Sequence, residues 1–346
     1  MDKEYFKKEI ATIANGLQII DDNRFTSNGE EKHVYHQQAY FNPTTPPAFF
    51  GENKGMNSDQ SRQTFRQHII NTIYSNYYTR PHTEKGELKS DQNFKEKLSQ
   101  ANQTKASYDY NWLVYHIDAS GNAFAQKNGD LRTLQKGQYV MADPKKKMAV
   151  NEWVHISLKK EDPNIQAPFF YVYSEHMMSQ QVELIRFYWN VKPEGAPELI
   201  RELTSLFNKY RLPFMFKCLN DPSLYNRSDC AVLYIEKKDA HLTFHLVGEI
   251  IRKLNNYMNE GIPMFSLPLG KGVSFAEDPG KGESFGMQRS RIIADAILSA
   301  HEQGIIGKKA REDYIFAFVE EQGLDLNAFF KNPYSKFNYD FSFTSN

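Results

Sequence analysis

The chain has 346 residues, 40% of them hydrophobic and 24% charged, with 42 basic and 42 acidic side chains. Such a length supports one large domain or two ordinary ones, with a core that needs no disulfide or metal staple. Balanced charge excludes a global field for gathering nucleic acid or a membrane surface, so any anion recognition has to be local. Cys218 and Cys230 lie in adjacent apolar stretches. A sheet could bring them close, and the simpler reading is two buried free thiols in a reducing compartment. Metal-type cysteine spacing and HExxH-like histidine pairs are both absent from the sequence.

The N-terminal MDKEYFKKEIATIANG is charged and amphipathic, without the apolar run of a signal peptide. Nowhere do about twenty apolar residues run together, the length a membrane span needs, so the expected location is the cytoplasm. Phe6, Ile10, Ile13, Leu17 and Ile20 recur at helical spacing and predict a first amphipathic helix. After a turn-rich run at 42–47, residues 60–78 predict a second helix that buries Phe65, Ile69, Ile73 and Tyr77. The Lys-, Gln-, Ser- and Asn-rich stretch 81–107 marks a boundary, giving a helical region 1–107 and a second domain 108–346.

From about 108 the period changes to two. Strands are expected at 110–117, 136–141, 152–158, 168–174 and 181–191, then a helix at 196–210 and two more strands at 213–219 and 230–236. A helix over 240–259, a Gly- and Pro-rich loop over 261–284 and helices at 286–303 and 308–322 complete the chain before an aromatic tail. Strands joined by short connections, with helices segregated around them, predict an α+β fold: a mainly antiparallel twisted sheet flanked by helices, with a helical N-terminal part.

Three places could carry chemistry. The loop GKGVSFAEDPGKGESFG (270–286) fails both the Walker A and the GxGxxG spacings. It feeds a helix whose first turns hold Arg289 and Arg291, which would suit an anion, a solvated basic turn being the ordinary alternative. Lys217 stands in PFMFKCL among apolar neighbours, where burial and a nearby arginine would depress its pKa into the range of a general base. The alternative there is a lysine snorkelling at a strand end. His155, within EWVHISL, shares a strand face with Trp153 and Ser157 and is by itself an ordinary core histidine. Arg227 and Asp229 follow Lys217 in the connection to a strand that contains Tyr234.

The stretch 186–236, RFYWNVKPEGAPELIRELTSLFNKYRLPFMFKCLNDPSLYNRSDCAVLYIE, and the later FAEDPGKGESFGMQR (275–289) together resemble the HopA-type effector family. The resemblance runs from about residue 110 to 320 and is loose before that. It implies a phosphothreonine or phosphoserine lyase, like the stand-alone lyases of ribosomal-peptide (lanthipeptide and thioamitide-type) biosynthesis, which eliminate phosphate to leave dehydrobutyrine or dehydroalanine. It further implies Lys217 as general base, His155 as general acid, and Arg227 and Arg289 as a phosphate clamp supported by Tyr234. The related effector lyases carry a lysine two residues before the histidine, where this chain has Trp153; Lys159 or Arg291 would then supply the missing cation. No metal or cofactor is implied. The implied partners are a phosphorylated precursor peptide and a kinase-like enzyme, with no nucleic acid or membrane, and 1–107 would dock peptide or partner beside a catalytic domain 108–346. Two other readings stay open: a type III effector acting on host phosphoproteins, and a non-catalytic phosphopeptide-binding scaffold.

Overall fold

The computed structural model describes residues 4–34, 58–80, 88–280 and 282–341, so the turn-rich run at 42–47 and Lys281 lie outside the described residues. Helix α1 (Tyr5–Gly16) leads into the meander β1 (Leu17–Asp21), β2 (Arg24–Ser27) and β3 (Glu30–His33). Helix α2 (Ser58–Ile73) continues through a π-turn at Tyr74–Tyr78, and α3 (Phe94–Ala101) follows. Next come β4 (Ser107–Ile117), β5 (Ala123–Lys127), β6 (Asp130–Leu134), β7 (Tyr139–Met141) and β8 (Trp153–Leu158). The chain continues with β9 (Glu161–Asp162), β10 (Phe169–Tyr173), β11 (Leu184–Trp189), α4 (Ala196–Lys209), β12 (Phe214–Leu219) and β13 (Ala231–Glu236). It ends with α5 (Ala240–Leu254), β14 (Leu267–Gly270), β15 (Val273–Glu277), α6 (Phe285–Glu302) and α7 (Lys308–Glu321). The fold is α+β, and every strand pairing recorded is antiparallel.

Several expected boundaries move. The first helix stops at Gly16: Leu17 is extended (φ −120°, ψ 122°), and the chain turns into a strand that buries Leu17 and exposes Ile20. The N-terminal region is therefore helical with a small sheet. The β5–β6 hairpin was not expected, yet its turn is Asn128-Gly129, both at positive φ, the pair that a tight two-residue hairpin demands. The loop expected over 261–284 contains the β14–β15 hairpin.

The chain divides into two units, Met1–Pro81 with Lys281–Lys336 and His82–Gly280 with Phe337–Asn346. A division at 107/108 does not coincide with them, because α6 and α7 return to the N-terminal helices and α3 goes with the sheets. In the first unit α2 lies against α6, where the Arg66 guanidinium donates twice to the Asp295 carboxylate (2.6 and 2.7 Å). Phe6 of α1 meets Phe330 at 5.9 Å between ring centroids. At the start of α6, a Cβ on Gly286 would come within 2.3 Å of the Tyr78 ring, so only glycine lets the helix approach there.

The second unit holds a seven-stranded sheet, order β14-β15-β11-β13-β12-β10-β9, and a five-stranded sheet, order β6-β5-β4-β8-β7. The seven-stranded sheet is two-faced, as strand alternation dictates. Phe170, Phe216, Cys218, Leu233, Ile235, Phe187 and Phe275 fill one face with almost no exposure. Helices α4 and α5 cover it through Phe207 against Phe214 and Phe244 against Phe187. Both cysteines are buried thiols outside any disulfide. The opposite face carries Tyr171, Lys217, Tyr234 and Arg186. The five-stranded sheet keeps its own core of Trp112, Val114, Ala123, Ala125, Leu134, Val154 and Ile156.

The aromatic tail closes the second unit. Tyr339 and Phe341 pack on Phe244 and Phe275, and the Tyr339 hydroxyl donates to Glu277 Oε1 at 2.6 Å. Glu277 is wholly buried and also pairs with Lys237 at 3.0 Å. Tyr339→Phe should lower stability by about 1–3 kcal/mol, since a buried carboxylate loses a donor. Urea unfolding should show the midpoint falling, and ending the chain after Lys336 should lower it further by uncovering Phe244 and Phe275.

Candidate functional site

Strand β12 runs between β10 and β13. Its side chains alternate, so Phe214, Phe216 and Cys218 enter the core while Met215 and Lys217 point the other way. Lys217 pairs in register with Tyr171 of β10 and Val232 of β13, and Met215 pairs with Tyr234. One strand further, Tyr234 pairs with Arg186 of β11. Tyrosine, lysine, tyrosine and arginine from four adjacent strands thus occupy one patch of one face.

The patch is poor in water and rich in rings. The Lys217 ammonium lies 4.3 Å from the centre of the Phe169 ring, 5.7 Å from Tyr171 and 5.8 Å from Tyr234. Tyr171, Tyr234 and Arg186 are each only 7% exposed. The Arg186 guanidinium sits 5.1 Å over the Tyr234 ring, and its Nε donates to Asp278 Oδ2 at 2.6 Å. Asp278 follows β15 in the FAEDPG loop, where its other oxygen accepts the Gly280 N–H at 2.6 Å. The loop signature therefore reaches this face through a carboxylate that orients Arg186.

Electrostatics follow from that packing. Burial pushes the Lys217 pKa down, Arg186 and Arg227 push it the same way, and Asp229 only partly opposes them; the result is about 8. Burial also works against the charge of Arg186, but Tyr188, Tyr234 and Asp278 outweigh it and hold the guanidinium charged. Burial raises the Tyr234 hydroxyl beyond the ordinary phenol range. Arg227 forks onto Asp229, with Nη2 to Oδ2 at 2.7 Å. The connection bearing this pair is pinned from below by Tyr225, fully buried, whose hydroxyl donates to the Leu219 carbonyl at 2.7 Å.

Of the residues expected from sequence, the structure brings Lys217, Tyr234 and Arg227 together. Arg289 has a different task from the one expected. It is wholly buried, its Nε donates to the Phe329 carbonyl at 3.1 Å and its Nη2 to the Lys331 carbonyl at 2.6 Å. Those donors fasten the end of the first unit to α6, and a phosphate clamp would need them turned outward. Arg291, in the same unit, pairs with Glu283 at 2.7 Å. Lys159 is exposed and pairs with Asp162 at 3.2 Å. His155 lies on the five-stranded sheet, where Nδ1 accepts the Asn111 N–H at 3.2 Å and Tyr110 meets the ring edge-on at 4.7 Å. Trp153, two residues earlier, is 48% exposed.

Sequence reasoning missed Arg186, Asp278 and Tyr171. Arg186 in LIRFYW is the same anomaly as Lys217 in PFMFKCL, a cation inside an apolar strand, and could have been found by it. Among the described residues, no group of three or more His, Cys, Asp or Glu side chains could hold a metal ion, and no helix is long and apolar enough to cross a membrane.

Residues 160–331 match the HopA1 effector protein family. Two solved effector structures are similar in outline. One, from Pseudomonas syringae pv. tomato strain DC3000, is 18% identical, with 77% of this chain and 95% of that one covered at a TM-score of 0.44. The other, from Pseudomonas syringae pv. syringae strain 61, is 16% identical, with 77% and 94% covered and the same TM-score of 0.44. No curated protein matches the chain.

The state of Lys217 has a thermodynamic signature. Its folded pKa of about 8 lies below the ordinary lysine value, so between the two the unfolded chain binds the extra proton. Stability should therefore rise as pH climbs from about 8 toward 10.4 and fall as pH descends through that window. Below it the charged, desolvated ammonium costs roughly 3 kcal/mol. Lys217→Met should remove both the rise and the cost, so denaturant unfolding at pH 7 should find the variant more stable than wild type. A less stable variant would mean that the ammonium is well solvated in the folded state.

Proposed function

We propose that this chain, which belongs to the HopA1 effector protein family over residues 160–331, is a phosphothreonine or phosphoserine lyase acting on a phosphorylated peptide. One observation carries the reading: a lysine set among aromatic rings on a sheet face, with two arginines close enough to help hold its pKa at about 8. A neutral amine beside fixed guanidinium groups is what β-elimination of phosphate requires. The amine must accept a proton from a weakly acidic Cα–H, and the leaving group must have its negative charge matched.

The reaction then runs as follows. Lys217 Nζ takes the Cα proton, the Cα–H electron pair forms the Cα=Cβ bond, and the Cβ–O bond breaks with its pair leaving on phosphate. Products are dehydrobutyrine or dehydroalanine in the peptide and inorganic phosphate. Arg186 and Arg227 match the charge of the departing phosphate, Arg186 in the role expected of Arg289, and Tyr234 lies under the Arg186 guanidinium. His155 is the proposed acid toward the leaving oxygen, donating from the imidazolium, with Nδ1 protonated and released from the Asn111 N–H. The substrate would be a precursor peptide phosphorylated by a kinase-like partner. The family's description as effectors favours a second reading with the same chemistry, in which the phosphorylated segment belongs to a host protein.

Mass spectrometry of a phosphothreonine peptide should show loss of the elements of phosphoric acid with wild type and none with Lys217→Met. Arg186→Gln should reduce kcat/KM by about a hundredfold or more, in the range of lost charge stabilisation in a water-poor site. Since the base works as the neutral amine and His155 as a protonated acid, kcat/KM should follow a bell against pH, with the Lys217 value of about 8 as one of its limbs. Recovery of the plain threonine hydroxyl instead would make the protein a phosphatase and end the elimination mechanism.

A further inference from the structure

A cavity of the second unit lies beside the patch around Lys217. It has a volume of about 370 Å³, which falls within the usual range of ligand pockets, about 300–1,000 Å³. Its floor is Met215 of β12 and Tyr173 of β10, and its walls include Leu158 at the end of β8, Ile165 after β9, and Met177 and Met178 after β10. Lys159 and Asp162, also on the lining, pair with each other at 3.2 Å. Ser157, Ser174 and His176 add polar atoms to the lining, and the rest is carbon and thioether surface, of the adaptable kind that methionines offer to varied apolar shapes. Ile165, on the lining, is 62% exposed and so can be reached from solvent.

Position fixes the occupant. Met215 and Tyr173 face each other in register, as do Lys217 and Tyr171, so the pocket begins one step of two residues along the strands from the base. Side chains two residues apart on a strand point the same way and lie about 6.5–7 Å apart. An extended peptide lying along β12 with its phosphorylated residue at Lys217 repeats that step. Its side chain two residues away then falls over the pocket.

We propose that this pocket is a specificity subsite for an apolar side chain two residues from the phosphorylated residue of the substrate peptide. The proposal rests on the lyase reading above. It is tested with phosphothreonine peptides carrying leucine, alanine or aspartate in turn at each of the three positions on either side. The measurements are kcat/KM from phosphate release and binding of the same peptides, fluorescently labelled, to Lys217→Met. Leucine should exceed alanine by roughly tenfold to two-hundredfold at one of the two positions two residues away, as a single apolar side chain in a pocket allows, and aspartate should be worse still. Ile165→Asp and Met178→Ala should each shrink the leucine-to-alanine ratio at that position alone. Turnover that is indifferent to the side chains at both of those positions overturns the subsite and leaves the lyase standing. No phosphate release from any peptide overturns the lyase reading, and the subsite falls with it.

Discussion

A buried ion pair sits at the centre of the candidate site. The Arg186 and Asp278 side chains are each 8% exposed, and taking two such charges out of water costs several kcal/mol per ion before their attraction returns any of it. The geometry that offsets this cost is short and specific: Nε donates to one carboxylate oxygen, the other oxygen takes the Gly280 N–H, and the Tyr234 ring lies under the guanidinium. Breaking such a pair from one side typically costs about 3–5 kcal/mol because it strands the other charge. The cation is thus fixed in place, and the lowered pKa of Lys217 follows from that fixity together with its own burial.

Lys217 and Arg289 make an instructive contrast. Both are basic residues in apolar surroundings, but only Lys217 stood out in the sequence for that reason; Arg289 stood out for its place after a Gly-rich loop. Arg289 hands its protons to backbone carbonyls and so closes a structural junction in the first unit. The contacts of Lys217 are aromatic rings, and among the described residues no carbonyl or carboxylate accepts its protons. Rings attract an ammonium without fixing its hydrogens, so they leave the nitrogen able to exchange a proton. The difference between a fastener and a base lies in what receives the N–H groups.

This contrast also explains what could be seen beforehand. Period-two runs located most strands of the seven-stranded sheet, because each packs a full core face and alternation survives in the sequence. The charge anomaly of Lys217 was visible for the same reason. Arg186 carries an equal anomaly in LIRFYW, and the turn pair Asn128-Gly129 is itself a hairpin signal. The role of Arg289 could not be seen, since it depends on carbonyls 40 and 42 residues away. Unit membership was hidden similarly: nothing local in α6 or α7 says that they return to α1 and α2. Tyr234 and Arg227 were placed only by their nearness in sequence to Lys217, and register shows why nearness sufficed for the first: β12 and β13 are direct neighbours.

Where the chemistry sits has a mechanical consequence. Tyr171, Lys217, Tyr234 and Arg186 come from β10, β12, β13 and β11, four strands locked by continuous antiparallel ladders and, on their far side, by a core face of large aromatics. Strand positions hold side chains more closely than loops do, and elimination requires the base, the Cα–H and the leaving group to keep a fixed relation. Of the parts of the site that are not on strands, Arg227 is held by the Asp229 carboxylate on a connection that Tyr225 pins to the Leu219 carbonyl, and Asp278 is held by the Arg186 guanidinium and the Gly280 N–H. Loops here supply charge, and the sheet supplies distance. A substrate that must meet both is read most simply as an extended chain, which shares the two-residue repeat of the surface beneath it.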